Sequence, residues 1–382
     1  MRRKKSVVTG RAEAARAPKR SVRAVAPRSQ RAPVDAAPLG GSRSRGTEIV
    51  ASALPERPTR ADLSIDLAPE RDGALVLQNP FMAAAGTFGF GVEYVDLVDV
   101  ERLGAICTRG VTLNARSGNP SPRIAETPSG LLNAVGLQNP GVDAVLERYA
   151  ARWSEWEVPV IVNVGAESVD DFVTIAEKLD GHAGVAAIEL NLSCPNHARG
   201  GLLFGLDADA AARLTAAVRR ATKLPLLVKL SPAAADVRAM ARGIEDAGAD
   251  AISAVNTLPG MAIDRHGRAP ALGSTYGGLS GPALKPVALR VVYEVAQEVH
   301  IPVVGVGGIS SLDDVLDFLF AGASAVQIGT ALLADPALPL RLADELEIYC
   351  LDQGLGTYLE LIGRAQRRGH GRPSTKGAEY RF

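Results

Sequence analysis

From about residue 63 the chain alternates short apolar runs with longer amphipathic segments, eight times over. The apolar runs lie at 81–85, 105–108, 160–163, 186–190, 226–230, 251–255, 303–306 and 325–328. They have the length of strands buried on both faces. The segments 141–156, 169–179, 208–222, 237–247, 282–299 and 312–320 carry apolar residues at the spacing of one helix face. Strand–helix alternation predicts parallel strands joined by right-handed crossovers. Eight repeats predict an α/β fold of the (β/α)8 TIM-barrel type rather than an open doubly wound sheet. The stretch 114–138, between the second strand and its helix, reads as a long loop, and loops of that length in compact domains are usually functional.

Barrel enzymes work at the carboxyl ends of their strands, so the residues that end each apolar run carry the chemistry. There the chain places Ala85 and Gly86, Arg109, Asn163, Asn191 with Cys194 and Asn196, Lys229, Val255 with Asn256 and Thr257, Gly307 with Gly308, and Gly329 with Thr330. A single asparagine at a strand end more often starts a turn. Four on one rim point to a flat ligand rich in N–H and C=O groups. The glycine turns after strands seven and eight occupy the place where barrels commonly bind phosphate, which points to a phosphate-bearing cofactor. Cys107 falls in a strand and Cys350 in a helix, the ordinary settings of a buried structural thiol. Cys194 lies past a strand end, in a loop with Leu192 as its one aliphatic neighbour, and its thiolate is a candidate base or nucleophile.

Composition sharpens this picture in three ways. Hydrophobic residues make up 47% of 382 residues and aromatics only 4%, with 39 glycines, which suits a sheet buried on both faces with glycine-rich loops. The formal net charge of zero divides unevenly: residues 1–60 hold 15 Lys/Arg against 4 Asp/Glu, and the rest hold 27 against 38. Residues 1–60 therefore read as a disordered basic extension. A solvated tail or an upstream start is the first reading of it, a transit peptide the second and a nucleic-acid or membrane-surface arm the last, since no aromatics interleave with its charges. The expected division is 1–60 extension, 61–365 barrel and 366–382 flexible tail. Three separated cysteines without a CxxC pair argue against a disulfide framework or a cysteine-rich metal site. The histidines His182, His197, His266, His300 and His370 show no metal-ligand spacing and read as surface or loop residues. No apolar run reaches 18 residues, so no membrane span is expected, and a cytoplasmic location fits.

Six segments together resemble class 1 dihydroorotate dehydrogenases: Gly86-Thr87-Phe88-Gly89-Phe90-Gly91, 116–141 (RSGNPSPRIAETPSGLLNAVGLQNPG), 189–196 (ELNLSCPN), 228–232 (VKLSP), 277–289 (GGLSGPALKPVAL) and 305–309 (GVGGI). The resemblance spans about 63–365, and the Gly-Leu-Gln-Asn-Pro-Gly run at 136–141 looks like subclass 1B. It implies an FMN enzyme of pyrimidine synthesis that oxidises dihydroorotate to orotate, the base taking the C5 proton while hydride passes from C6 to N5 of FMN. Cys194 stands where class 1 has its base.

Carried over position by position, the resemblance implies that Asn133, Asn191, Asn196 and Asn256 hold the substrate, with Thr257 and the backbone of Val135, Gly136 and Leu137. Asn163, Asn191 and Lys229, with Ala85, Gly86 and Val255, would contact the flavin, and Gly281, Gly307, Gly308, Gly329 and Thr330 its phosphate chain. Arg109 departs from the family, which has lysine there; it keeps the charge but replaces a compact ammonium with a planar fork. Subclass 1B implies a second subunit with FAD and a [2Fe–2S] cluster that passes electrons to NAD+, in a heterotetramer; subclass 1A implies a homodimer. No nucleic-acid or membrane partner is implied. Two rival readings remain: a related FMN barrel acting on dihydrouracil or dihydrothymine, and a flavin-binding subunit made inactive by Arg109.

Overall fold

The computed structural model describes residues 58–71, 75–196 and 202–366. The expectations for 1–57 and 367–382, and for His197 and His370, lie outside the described residues.

Eight parallel strands close into a barrel: Phe81–Ala83, Ala105–Cys107, Val160–Val164, Ala187–Asn191, Leu226–Lys229, Ala251–Ala254, Val303–Val306 and Ala325–Ile328. Each pairs with its neighbours in chain order and the eighth returns to the first, Gln327 opposite Met82. The expected (β/α)8 barrel is present, with strand limits within two residues of those read from the apolar runs. Those runs are legible because their residues are buried on both faces, so no polar alternation interrupts them.

Helices cover the outside. Val169–Leu179, Ala208–Ala221, Val237–Asp246 and Leu312–Ala321 each begin at an Asp or Ser whose side chain accepts a backbone N–H of the first turn, namely Ser168, Asp207, Asp236 and Ser311. The segment after the second strand is one helical stretch, Val142–Trp153, with a π-turn at Leu146–Ala150. The helix Leu338–Asp352 holds Cys350, as expected, although its limits are not among the helical segments read from the sequence. Its Pro339 resembles a helix breaker, but it sits in the first turn, where a missing N–H costs nothing.

Two additions shape the ends of the barrel. At the amino-terminal end a hairpin, Ile65–Asp66 with Val76–Leu77, packs Leu67, Leu75 and Leu77 on the interior residues Met82, Ala105, Ile161, Ala187 and Leu227. Asp250, just before the sixth strand, ties that hairpin down: its carboxylate meets Arg71 Nε at 2.5 Å and Arg219 Nη1 at 2.9 Å. At the carboxyl end, four antiparallel strands form a small sheet: Leu258–Gly260, Gly277–Ser280, Gly130–Asn133 and Ile124–Thr127. The stretch 114–138 is therefore not all loop. Its hairpin is too short to show a period, and the strand that stabilises it lies about 145 residues away.

Candidate active site

One cavity of about 1110 Å³ opens at the carboxyl ends of the strands. Every site residue read from the sequence lines it except Asn196, whose backbone forms a short strand, Pro195–Asn196, paired with Leu202–Leu203. The hairpin at 124–133 supplies one wall through Ile124, Leu131 and Asn133.

The polar groups of the rim orient one another. Asn191 Oδ1 accepts from Asn256 Nδ2 at 2.9 Å and from the Ser193 amide at 3.0 Å. Asn256 Oδ1 in turn accepts the Thr257 amide at 2.8 Å. Asn133 Nδ2 donates to the Gly278 carbonyl at 3.2 Å, which joins the hairpin to the strand Gly277–Ser280. Gly136 and Leu137 both have positive φ, 75° and 52°, so Val135-Gly136-Leu137 turns sharply against the cavity.

Cys194 is far more enclosed than a loop position implies: it is 3% exposed and belongs to the apolar core. A side chain on Gly165 would place its Cβ 3.1 Å from the sulfur, so a glycine there makes room for the thiol. Burial pushes the thiol up to about 12, against the Ala166 amide and the Arg116 charge, which lower it; Glu167 raises it further. Arg116 and Glu167 form an ion pair on the cavity wall. Sequence reasoning passed over this pair, because neither residue ends an apolar run.

Arg109 also faces the cavity. Its amide donates to the Gly89 carbonyl, which fixes the backbone, and among the described residues its guanidinium has no acidic partner. It is thus a cation available to an anionic ligand.

Deeper in, Lys229 Nζ donates to Gln327 Oε1 at 2.8 Å and stands 3.5 Å from Glu189 Oε1, which also accepts from Asn163 Nδ2 at 2.8 Å. Glu189 and Gln327 escaped the sequence reading because each is one polar residue within an apolar strand. Their signal was their register, since Glu189 pairs directly with Asn163 across two strands.

At the far end Gly281, Gly307, Gly308, Gly329 and Thr330 share one wall. A Cβ on Gly308 would stand 2.9 Å from the Gly281 carbonyl and 3.0 Å from the Lys285 amide, so bare backbone lines that end. Lys285 itself is engaged by Asp314 and Asp317 at 2.5 and 2.7 Å. A glycine cradle at one end, with an amide and an ammonium in the middle, fits the phosphate and the polar ring of FMN. Cys350 lies buried in the helix Leu338–Asp352, and Cys107 in the second strand. His182, His266 and His300 are exposed.

Comparison with known proteins agrees with this geometry. A family model described as dihydroorotate dehydrogenase matches residues 73–349. A protein of Desulforamulus reducens named "dihydroorotate dehydrogenase B (NAD(+)), catalytic subunit" is 48% identical over 293 residues, which cover 77% of this chain and 96% of that protein. Proteins with the same name from Geobacter sp. strain M21 and Fusobacterium nucleatum are each 47% identical, over 304 and 293 residues, covering 80% and 77% of this chain and 98% and 96% of theirs. With a family model matched over most of its barrel and relatives of this identity along nearly their whole length, the chain belongs to the dihydroorotate dehydrogenase family.

Proposed function

We propose that the chain is the FMN-bearing catalytic subunit of a class 1B enzyme that oxidises dihydroorotate to orotate in pyrimidine synthesis. The observation that carries this reading is the enclosure of Cys194 beside the asparagine rim, in the same cavity as Lys229, Asn163 and the glycine cradle.

The geometry supports the roles that the resemblance implies. Asn191 and Asn256, locked to each other, present amide groups to the substrate ring, with Asn133 on the same cavity wall. Arg109 takes the substrate carboxylate in a charge-assisted, bidentate contact. Among the described residues no acid competes for it, and this favours dihydroorotate over dihydrouracil, which has no carboxylate to offer. Cys194 Sγ accepts the C5 proton. Its burial excludes water from that transfer and makes its thiolate, once formed, a strong base. Asn163, Lys229, Gly281, Gly307, Gly308, Gly329 and Thr330 would hold FMN, which supplies the two-electron acceptor when bound.

The chain also needs a partner to reach NAD+. Its three cysteines sit in a strand, below the rim and in a helix, too scattered to hold a cluster together. The FAD and [2Fe–2S] centres of subclass 1B therefore belong on a second subunit in this reading. Among the described residues no helix is long and apolar enough to cross a membrane.

The test is anaerobic. The purified chain should show a flavin spectrum that bleaches when L-dihydroorotate is added and stays yellow with dihydrouracil. A yellow chain bleached by dihydrouracil alone would move the substrate to another dihydropyrimidine. A yellow chain bleached by neither would leave a flavin-binding subunit without this activity.

A further inference from the structure

Six of the eight barrel strands send a polar or thiol side chain into one interior layer: Cys107, Asn163, Glu189, Lys229, Ser253 and Gln327. At the centre is Glu189, fully buried and outside the cavity lining, with Asn163 and Lys229 between it and the cavity. Its Oε1 accepts from Asn163 Nδ2 at 2.8 Å and faces Lys229 Nζ at 3.5 Å. Its Oε2 accepts from Gln327 Nε2 at 2.6 Å and from Ser253 Oγ at 2.7 Å. A carboxylate offers about four lone-pair sites, and all of them are engaged.

This arrangement has a direction. An ionised carboxylate only accepts hydrogen bonds, so it draws the Asn163 amide nitrogen inward and leaves Oδ1 toward the cavity. Lys229 spends two of its three donors on Gln327 and Glu189, and the third remains for the cavity. Burial would push the Glu189 carboxyl up, but Lys229 and the bonds from Gln327, Ser253 and Asn163 outweigh it and hold the group below its ordinary range. The negative charge therefore stands permanently behind the ammonium.

We infer that Glu189 is the positioning residue of the flavin site: it fixes which atoms of Asn163 and Lys229 face the cavity, and its charge, offsetting that of Lys229, keeps the reduction potential of the bound flavin low. Two-electron reduction of a flavin adds negative charge to its pyrimidine ring. A lone ammonium beside that ring would favour the reduced form, whereas an ammonium neutralised from behind favours it less. A low potential is what a subunit needs if it passes its electrons onward rather than keeping them. This inference rests on the flavin reading above.

The experiment is a spectroelectrochemical titration of the FMN-loaded chain and two variants. Glu189→Gln keeps the shape and removes the charge; it should raise the two-electron midpoint potential by about 30 mV or more, a tenfold change in the equilibrium. Glu189→Asp keeps the charge and should keep the potential within that margin. A folded, flavin-loaded Glu189→Gln with the parent's potential overturns the inference, and so does a Glu189→Asp that shifts as far as Glu189→Gln. If Glu189→Gln does not fold, Ser253→Ala decides. It removes one hydroxyl dipole from the carboxylate and should lower the potential measurably, and an unchanged value overturns the inference. The parent chain separates the two levels of argument. A parent that takes up no FMN sinks the flavin reading and this inference with it, whereas a bleached parent with an unshifted Glu189→Gln sinks this inference alone.

Discussion

At Cys194 the burial that keeps water from the proton transfer also opposes formation of the thiolate. With the thiol pushed up to about 12, the neutral form dominates at neutral pH, and the rate of flavin reduction should climb as pH rises toward that value. The sign at each neighbour is fixed by its charge. Glu167 disfavours the thiolate, so Glu167→Gln should move the rising limb to lower pH and speed the reaction at neutral pH; Arg116 favours the thiolate, so Arg116→Met should move it higher. Stopped-flow reduction by dihydroorotate across pH checks this, and coincident curves for Glu167→Gln and the parent would count against the arrangement. Arg109 gives a prediction of a different kind. A hydrogen bond to a charged group contributes about 1.5–3 kcal/mol, so Arg109→Met should raise KM for dihydroorotate about tenfold or more, while Arg109→Lys recovers most of the loss. Equal KM values for Arg109→Met and the parent would show that the carboxylate is held elsewhere.

Among the elements, the hairpin under the barrel and the small sheet above it do different work. The hairpin covers interior apolar residues, and its hold on the barrel includes the Arg71–Asp250–Arg219 cluster. Asp250 is 7% exposed and also accepts the Leu226 amide at 2.8 Å. Removing its charge leaves two arginines facing each other in a half-buried setting, so Asp250→Asn should cost about 3 kcal/mol of stability. Thermal unfolding with FMN bound measures this, and a melting temperature equal to the parent's would show that the cluster contributes nothing net. The elements also show where sequence reading succeeds. A strand buried on both faces announces itself as an unbroken apolar run, and a helix capped by Ser168 or Asp236 announces its start. The Gly130–Asn133 hairpin does not, because its stability comes from Gly277–Ser280, far along the chain. The same limit hid the interior layer: a glutamate, a serine and a glutamine in three separate strands become one cluster only when the barrel closes.

Seen as a whole molecule, the barrel places its chemistry at one end and its structural seal at the other, and that polarity was legible once eight repeats had been recognised. The rim residues followed from it directly, since each ends a strand. Arg116 and Glu167 did not, since their proximity depends on how two loops meet over the rim. One consequence concerns the three thiols together. Cys107, Cys194 and Cys350 are at most 3% exposed, and burial pushes all three upward, Cys194 to about 12 and Cys350 to about 11. Oxidants and alkylating agents attack the thiolate rather than the thiol. Reduced flavin generates peroxide whenever oxygen reaches it, so a flavin enzyme's own by-product threatens any ionised cysteine nearby. With Cys194 held largely protonated, the reactive sulfur is chemically inert for most of the time, and the native chain should resist oxidative inactivation in air.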